Sequence, residues 1–223
     1  MSSNNINLYR NNIEYYLFHY KKVDEGRLGC VQFIEVTLTY LSWLKKQKSL
    51  ASEYGFTQSC TDEFGRFLYT LIGQVKGNIL EIGTGLGVST SWIVSSMSAN
   101  SSNLISIDNQ QDYVGAIKPL FTQYNVEFIV ADWKEIINKG PFDFVFADAA
   151  DAKSTYAQEL FKLLKVGGVL IMDDLTPEEY WPAEWRGKRD VVRDYWLNHP
   201  KLAATEILLT PQQAVIIASK LEE

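Results

Sequence analysis

The chain has 223 residues, and 21 Lys and Arg against 27 Asp and Glu leave it a net charge of −6. Hydrophobic residues at 46% and charged residues at 22% exclude wholesale disorder and collagen-like repeats, and the length suits one α/β domain. No apolar run reaches the roughly 18 residues of a membrane span, the start MSSNNINLYRNN is polar rather than signal-like, and Cys30 and Cys60 are too few for a disulfide framework.

Residues 1–75 show no strand alternation. Tyr and Phe crowd Ile13–Tyr20, and Val31, Ile34, Leu38 and Leu41 step along one helix face inside a predicted helix over Leu28–Gln47. Asp62–Ile72 reads as another, so 1–75 is expected to be a helical cap on a domain spanning 76–223. The pattern then changes to short apolar runs: Asn78–Ile82, Leu104–Asp108, Val126–Val130, Phe142–Ala147 and Val169–Met172. Helical windows separate them at Val88–Ser98, Tyr113–Tyr124, Trp133–Asn138 and Thr155–Lys165. A helix at Arg189–Asn198 stops before Pro200, and Thr205–Thr210 and Ala214–Ser219 flank Pro211–Gln213 as a hairpin. The expected fold is α/β: a doubly wound, Rossmann-like, mostly parallel sheet of seven strands, closed by an antiparallel hairpin.

The strongest motif is Glu81-Ile-Gly83-Thr84-Gly85-Leu-Gly87-Val-Ser89, which follows the first strand and opens a helix. A dinucleotide fingerprint has its third glycine three residues after the second; here it comes after two. The carboxylate of Glu81 would repel a pyrophosphate but suits a ligand carrying ammonium and sulfonium charges, such as S-adenosylmethionine. The plainer reading is a strand-to-helix turn whose glycines serve only geometry.

The other strand ends also carry acids. Asp108 ends the second, Asp132 follows the third, Asp148 follows the fourth, and Asp173 and Asp174 follow the fifth. Ligands of open parallel sheets bind beyond these ends, near the point where strand order reverses. Asp108 lies where a carboxylate accepts ribose hydroxyls, while Asp132 and Trp133 suit an adenine amine and ring face. A lone acid at a helix start is commonly an N-cap, the alternative for Asp132.

These segments resemble the class I S-adenosylmethionine-dependent methyltransferases, and more narrowly the catechol and caffeoyl-CoA O-methyltransferase-like family. The resemblance rests on LEIGTGLGVST, ISID, FDFVFADAA, LLKVGGVLIMDDL, the tail TEILLTPQQAVIIASK and the stretch SCTDEFGRFLYTLI. It implies that Glu81, Gly83, Thr84, Gly85 and Ser89 contact the methionine and ribose side of the donor, with Ser59 near its methionine end. Asp108 would bind the ribose and Asp132 and Trp133 the adenine. In metal-dependent members, positions matching Asp148, Asp173 and Asp174 hold a divalent ion, although Asp174 replaces the usual Asn. The family's Asp-Ala-Asp-Lys run is also altered: Lys153 and Tyr156 sit two residues later relative to Asp148. The resemblance also implies a homodimer, since such relatives often pair through their N-terminal helices.

Independently of the resemblance, three carboxylates converging at 148, 173 and 174 would repel one another unless a proton or cation intervened. Mg²⁺ there would lower a phenol's pKa and align a vicinal hydroxyl pair. Lys153 is the candidate general base or a positive neighbour assisting deprotonation, with Asp148 beside it; otherwise it is a solvated helix-start lysine. Tyr180, Trp181 and Trp185, followed by Arg186, Lys188 and Arg189, either wall an acceptor pocket or pack the hairpin and face water. The expected activity is O-methyl transfer to a small, catechol-like hydroxylated acceptor. The rivals are methylation of a tRNA nucleotide, which the acidic sheet domain disfavours, and donor binding without catalysis.

Overall fold

The computed structural model describes residues 44–57, 59–97 and 102–223. The aromatic stretch Ile13–Tyr20 and most of the expected helix Leu28–Gln47 lie outside them; residues 44–53 (α1) are helical. Next comes α2 (Asp62–Ile72), whose N-terminus is capped by Thr61: its hydroxyl accepts from the Phe64 amide at 3.2 Å. Asp62 and Glu63 in the first turn complement the helix dipole. Phe64, Leu68 and Ile72, four residues apart, form its buried face.

Seven strands follow: β1 (Asn78–Ile82), β2 (Asn103–Asp108), β3 (Val126–Val130), β4 (Phe142–Ala147), β5 (Leu164–Leu175), β6 (Leu202–Thr210) and β7 (Gln213–Lys220). They lie side by side in the order β3-β2-β1-β4-β5-β7-β6. The first five are parallel, and β7 runs antiparallel to β5 and β6. The chain therefore builds the expected Rossmann-like sheet and closing hairpin. Helices α3 (Val88–Met97), α4 (Gln111–Ile117), α5 (Ala150–Lys153), α6 (Ala157–Leu163) and α7 (Val191–Leu197) connect the strands. Strand order reverses between β1 and β4, which opens a crevice past their carboxyl ends.

Register sets what enters that crevice. Ala147 pairs with Ile82 on one side and Met172 on the other. Gly83, Asp148 and Asp173 therefore leave the sheet side by side. The β5–β7 pairing shifts between Met172 and Leu175, where Asp174 takes a left-handed φ of 57°. Such an irregularity re-aims side chains, and Asp tolerates this conformation better than most residues.

Boundaries differ from the sequence reading where backbone pairing or proline overrides side-chain pattern. The expected helix Tyr113–Tyr124 is α-helical only to Ile117 and tightens to a 3₁₀ turn over Lys118–Phe121, where Pro119 has no N–H to give. The window starting at Trp133 is also 3₁₀, over Trp133–Lys139. The helix expected over Thr155–Lys165 covers only Ala157–Leu163, because Leu164 already pairs with Phe142 and starts a longer β5. After β5, Pro177 precedes a 3₁₀ turn at Glu178–Tyr180 without a side-chain cap. The Thr176 carbonyl accepts from Trp181 Nε1 at 2.8 Å and Arg193 Nη2 at 3.2 Å.

α2 packs on α3 through Gly65, where a Cβ would lie 2.0 Å from Trp92 Nε1. Gly65→Ala should accordingly lower stability by about 1–3 kcal/mol, the range for forcing extra volume into a packed contact. Urea denaturation should show a lower midpoint; an unchanged midpoint would mean the two helices separate freely.

Candidate active site

The glycine loop bridges β1 and α3 with Gly83, Gly85 and Gly87 at positive φ (102°, 51° and 75°). Beneath it lies Glu81, wholly buried. Both its oxygens are taken: Ser89 Oγ donates to Oε1, and Thr90 Oγ1 and Ser106 Oγ donate to Oε2, each at 2.6 Å. Burial pushes its carboxyl up from 4.5 to about 7, against the pull of those three hydroxyls. Glu81 does not reach the cleft surface. Thr84, whose Oγ1 lies 2.6 Å from Ser106 Oγ, and Ser89 do line it.

Above the loop a cavity of about 570 Å³ is bounded by Ser59, Gly83, Thr84, Gly85, Ser89, Asp108 and Asp148. Asp108 braces the loop while facing the cavity: Oδ2 accepts from Gly85 N and Oδ1 from Gln110 N, both at 2.8 Å. Ser59 Oγ is buried on this wall without a hydrogen-bond partner among the described residues, an orphaned group placed to meet a polar ligand. A cavity of about 240 Å³ shares Gly83 and Asp108 with the first and adds Asp132, Trp133, Ala149 and Asp151. Trp133 is nearly buried and donates its indole N–H to Asp151 at 3.2 Å. Asp132 caps the following turn, accepting from Lys134 N at 3.0 Å and pairing with the Lys134 ammonium at 2.7 Å. The structure thus gathers Ser59, Thr84, Gly85, Ser89, Asp108, Trp133 and Asp148 around one elongated cleft, with Asp132 partly engaged at its edge and Glu81 below.

On the other side of Asp148 the acid cluster forms. One carboxylate oxygen from each of Asp148, Asp173 and Asp174 lies within 4.8 Å of the others. Despite the altered spacing, Lys153 reaches this cluster. Its nearly buried Nζ donates to the Asp173 carbonyl at 3.0 Å and stands 3.6 Å from Asp173 Oδ1 and 4.0 Å from Asp148 Oδ1. The first turn of α5 supplies the reach, and Trp196 Nε1 anchors the Lys153 carbonyl at 2.7 Å. Burial, then the neighbouring carboxylate, pushes the Asp148 carboxyl up; burial does the same at Asp173, with Lys153 opposing. With all three carboxylates ionised, the cluster and the Lys153 ammonium would carry an excess of two negative charges, and the buried Asp173 Oδ1 has no hydrogen-bond partner among the described residues. An all-oxygen donor set of that charge fits a hard divalent cation.

Asp148, Lys153, Asp173 and Asp174 open into a third cavity of about 760 Å³, walled by Trp181, Trp185, Lys188, Arg189 and Arg193. Both indoles therefore belong to this wall, their rings set edge to face at 6.4 Å. Arg193 ties the wall down, bonding Asp190, Glu206 and the Thr176 carbonyl. Sequence reasoning missed Phe56, which lines the first and third cavities, and Tyr113, against which the Phe56 ring packs edge to face at 5.4 Å. Neither position carries a periodic or motif signal. Cys60 lies on the first wall too, but burial and nearby carboxylates push its thiol up, away from nucleophilic use.

Part of this chain is similar to known proteins. Residues 80–175 match the family described as Methyltransferase domain. A provisionally named O-methyltransferase from Mycobacterium avium is 30% identical over 116 residues, 47% of this chain and 52% of the relative. A counterpart from Mycobacterium ulcerans is 28% identical, with 51% of it covered. This chain thus spans about half the length of the curated relatives it matches. Among solved structures, the O-methyltransferase TomG from Streptomyces achromogenes, in complex with S-adenosylmethionine and involved in tomaymycin synthesis, superposes with TM-score 0.67 at 20% identity over 81% of this chain and 90% of that one. An O-methyltransferase from Bacillus cereus, in complex with S-adenosylhomocysteine, gives 0.66 at 20% identity over 80% and 91%. At those identities the likeness is one of fold.

The buried Glu81 generates a prediction about pH. Between about pH 4.5 and about pH 7 the folded chain holds a proton that the unfolded chain has released, so stability falls as pH rises through that window. Glu81→Gln removes this titration and should flatten the fall by roughly 3 kcal/mol, at about 1.4 kcal/mol per pKa unit. Asp148 and Asp173 titrate in both proteins, so the difference between their urea melts isolates Glu81. Parallel pH profiles would show that Glu81 is not buried as described.

Proposed function

We propose that this methyltransferase domain serves an S-adenosylmethionine-dependent O-methyltransferase acting on a small, flat, hydroxylated acceptor. One observation carries the reading: a donor-sized cleft and a separate aromatic-walled cavity meet at Asp148, at the rim where strand order reverses. In-line transfer between two bound partners requires that juxtaposition.

On this reading Ser59 and the loop amides receive the methionine end of the donor. Asp108 takes the ribose at the neck shared by the two donor cavities, and Trp133 with Asp132 flanks the adenine. Glu81 serves by shaping the loop. Asp148, Asp173 and Asp174 would hold a divalent cation such as Mg²⁺, which would supply a Lewis acid that lowers a phenol's pKa. Lys153, already donating to the Asp173 carbonyl, acts as the positive neighbour that favours the deprotonated acceptor oxygen. Trp181 and Trp185 offer faces to a planar ring. With only two cysteines in the chain we infer a reducing, cytoplasmic setting. Among the described residues no helix is long and apolar enough to cross a membrane. Pairing into a homodimer, implied by the resemblance, involves N-terminal residues outside those described.

Asp108→Ala should weaken S-adenosylmethionine binding by tenfold or more in calorimetry, through loss of the ribose acceptor and of the Gly85 brace; unaltered affinity would remove Asp108 from the donor site. NAD should not bind. Turnover of a catechol acceptor should stop on chelation with EDTA and return with added Mg²⁺, and full turnover in EDTA rules out the metal role of the three aspartates.

A further inference from the structure

Among the described residues, only Phe56 and Asp148 line both the cleft above the glycine loop and the cavity walled by Trp181 and Trp185. Whatever passes from donor to acceptor must pass between them. Phe56 is fixed there from several sides. Its amide donates to the Ala51 carbonyl at 2.8 Å, its ring packs edge to face against Tyr113, and a Cβ at Gly85 would meet its Cζ at 3.0 Å. Gly85, at φ 51°, leaves room for the ring to close over the loop. The ring itself is only half-buried, so one part of it stays available to a ligand.

We propose that Phe56 forms an onium-reading subsite at this junction: its ring face meets the sulfonium of the bound donor and distinguishes the charged substrate from its neutral product. The inference rests on the donor reading above. An aromatic face attracts a cation through its quadrupole and has no comparable attraction for a neutral thioether. In the transfer, the S–CH₃ bond breaks with its electron pair retained by sulfur, an acceptor oxygen lone pair forms the new O–CH₃ bond, and the acceptor proton leaves to solvent or base. Sulfur ends neutral. The attraction that held the donor at Phe56 therefore disappears at the moment of reaction, which favours exchange of S-adenosylhomocysteine for fresh S-adenosylmethionine. The aromatic wall at the junction also keeps water from the sulfonium carbon.

The test is the ratio of S-adenosylmethionine to S-adenosylhomocysteine affinity, measured by calorimetry on the full chain without acceptor or metal. Phe56→Leu keeps an apolar side chain and removes the ring; Phe56→pentafluorophenylalanine keeps the ring's shape and reverses its quadrupole. Both substitutions should lower the ratio about fivefold, chiefly through weaker S-adenosylmethionine binding. Equal weakening of both ligands, or no change, would reduce Phe56 to a cover and overturn the proposal. Should Phe56→Leu unfold, the fluorinated variant carries the test alone. Failure of the unaltered protein to bind S-adenosylmethionine at all would be a different result, sinking the donor reading itself.

Discussion

A carboxylate with no access to water holds the centre of this molecule together. Glu81 sits at the end of β1 and receives hydroxyls from Ser89 and Thr90 in the first turn of α3 and from Ser106 on β2. Burying a charge is costly unless its lone pairs are met, and here three donors converge on two oxygens. Ser106 also bonds Thr84, so strand, loop and helix are cross-linked through one polar knot. The knot sets the path of Gly83–Gly87, and that path forms the floor of the cleft above the loop. Glu81 therefore shapes the site from below, at the cost of making the carboxylate sensitive to pH.

The acid cluster depends on a second constraint, the register of three parallel strands. Because Ala147 lies opposite both Ile82 and Met172, the residues that follow must crowd together. Asp148 and Asp173 cannot separate without shifting a strand. The irregularity after Met172 then turns Asp174 toward the same point. Lys153 offsets one of the three charges, and the two that full ionisation would leave are the number a divalent cation balances. The same few ångströms of rim thus join electrostatics to the geometry a displacement reaction demands.

The wall around Trp181 and Trp185 is held differently. Arg193 links α7 to Asp190, to Glu206 on β6 and to the backbone at Thr176. It is a largely buried, multiply bonded guanidinium of the kind that fixes a loop in place. The segment from Thr176 to Asp190 has little regular structure, yet two tryptophans stand in it at defined positions because Trp181 and Arg193 share the Thr176 carbonyl. This wall can vary while the sheet and the cleft above the glycine loop stay as they are.

The glycine loop, the apolar strands and the acids at their ends were legible in the chain because each is written locally: period, spacing and residue type suffice. The strand assignments for β1 to β4 and the hairpin follow from such local signals, as does the fold. What the sequence could not determine were relations between distant segments. Glu81 read as a surface anchor because its burial depends on Ser106, 25 residues away. Lys153 read as displaced because spacing along the chain takes no account of how α5 turns it back toward Asp173. Phe56 carried no signal, since its place at the junction of two cavities exists only once α1 lies near the glycine loop. β5 grew beyond its apolar core because pairing with β4, rather than side-chain pattern, decides where a strand begins. Local chemistry chose the elements; long-range hydrogen bonding and register decided which of their side chains face the cleft.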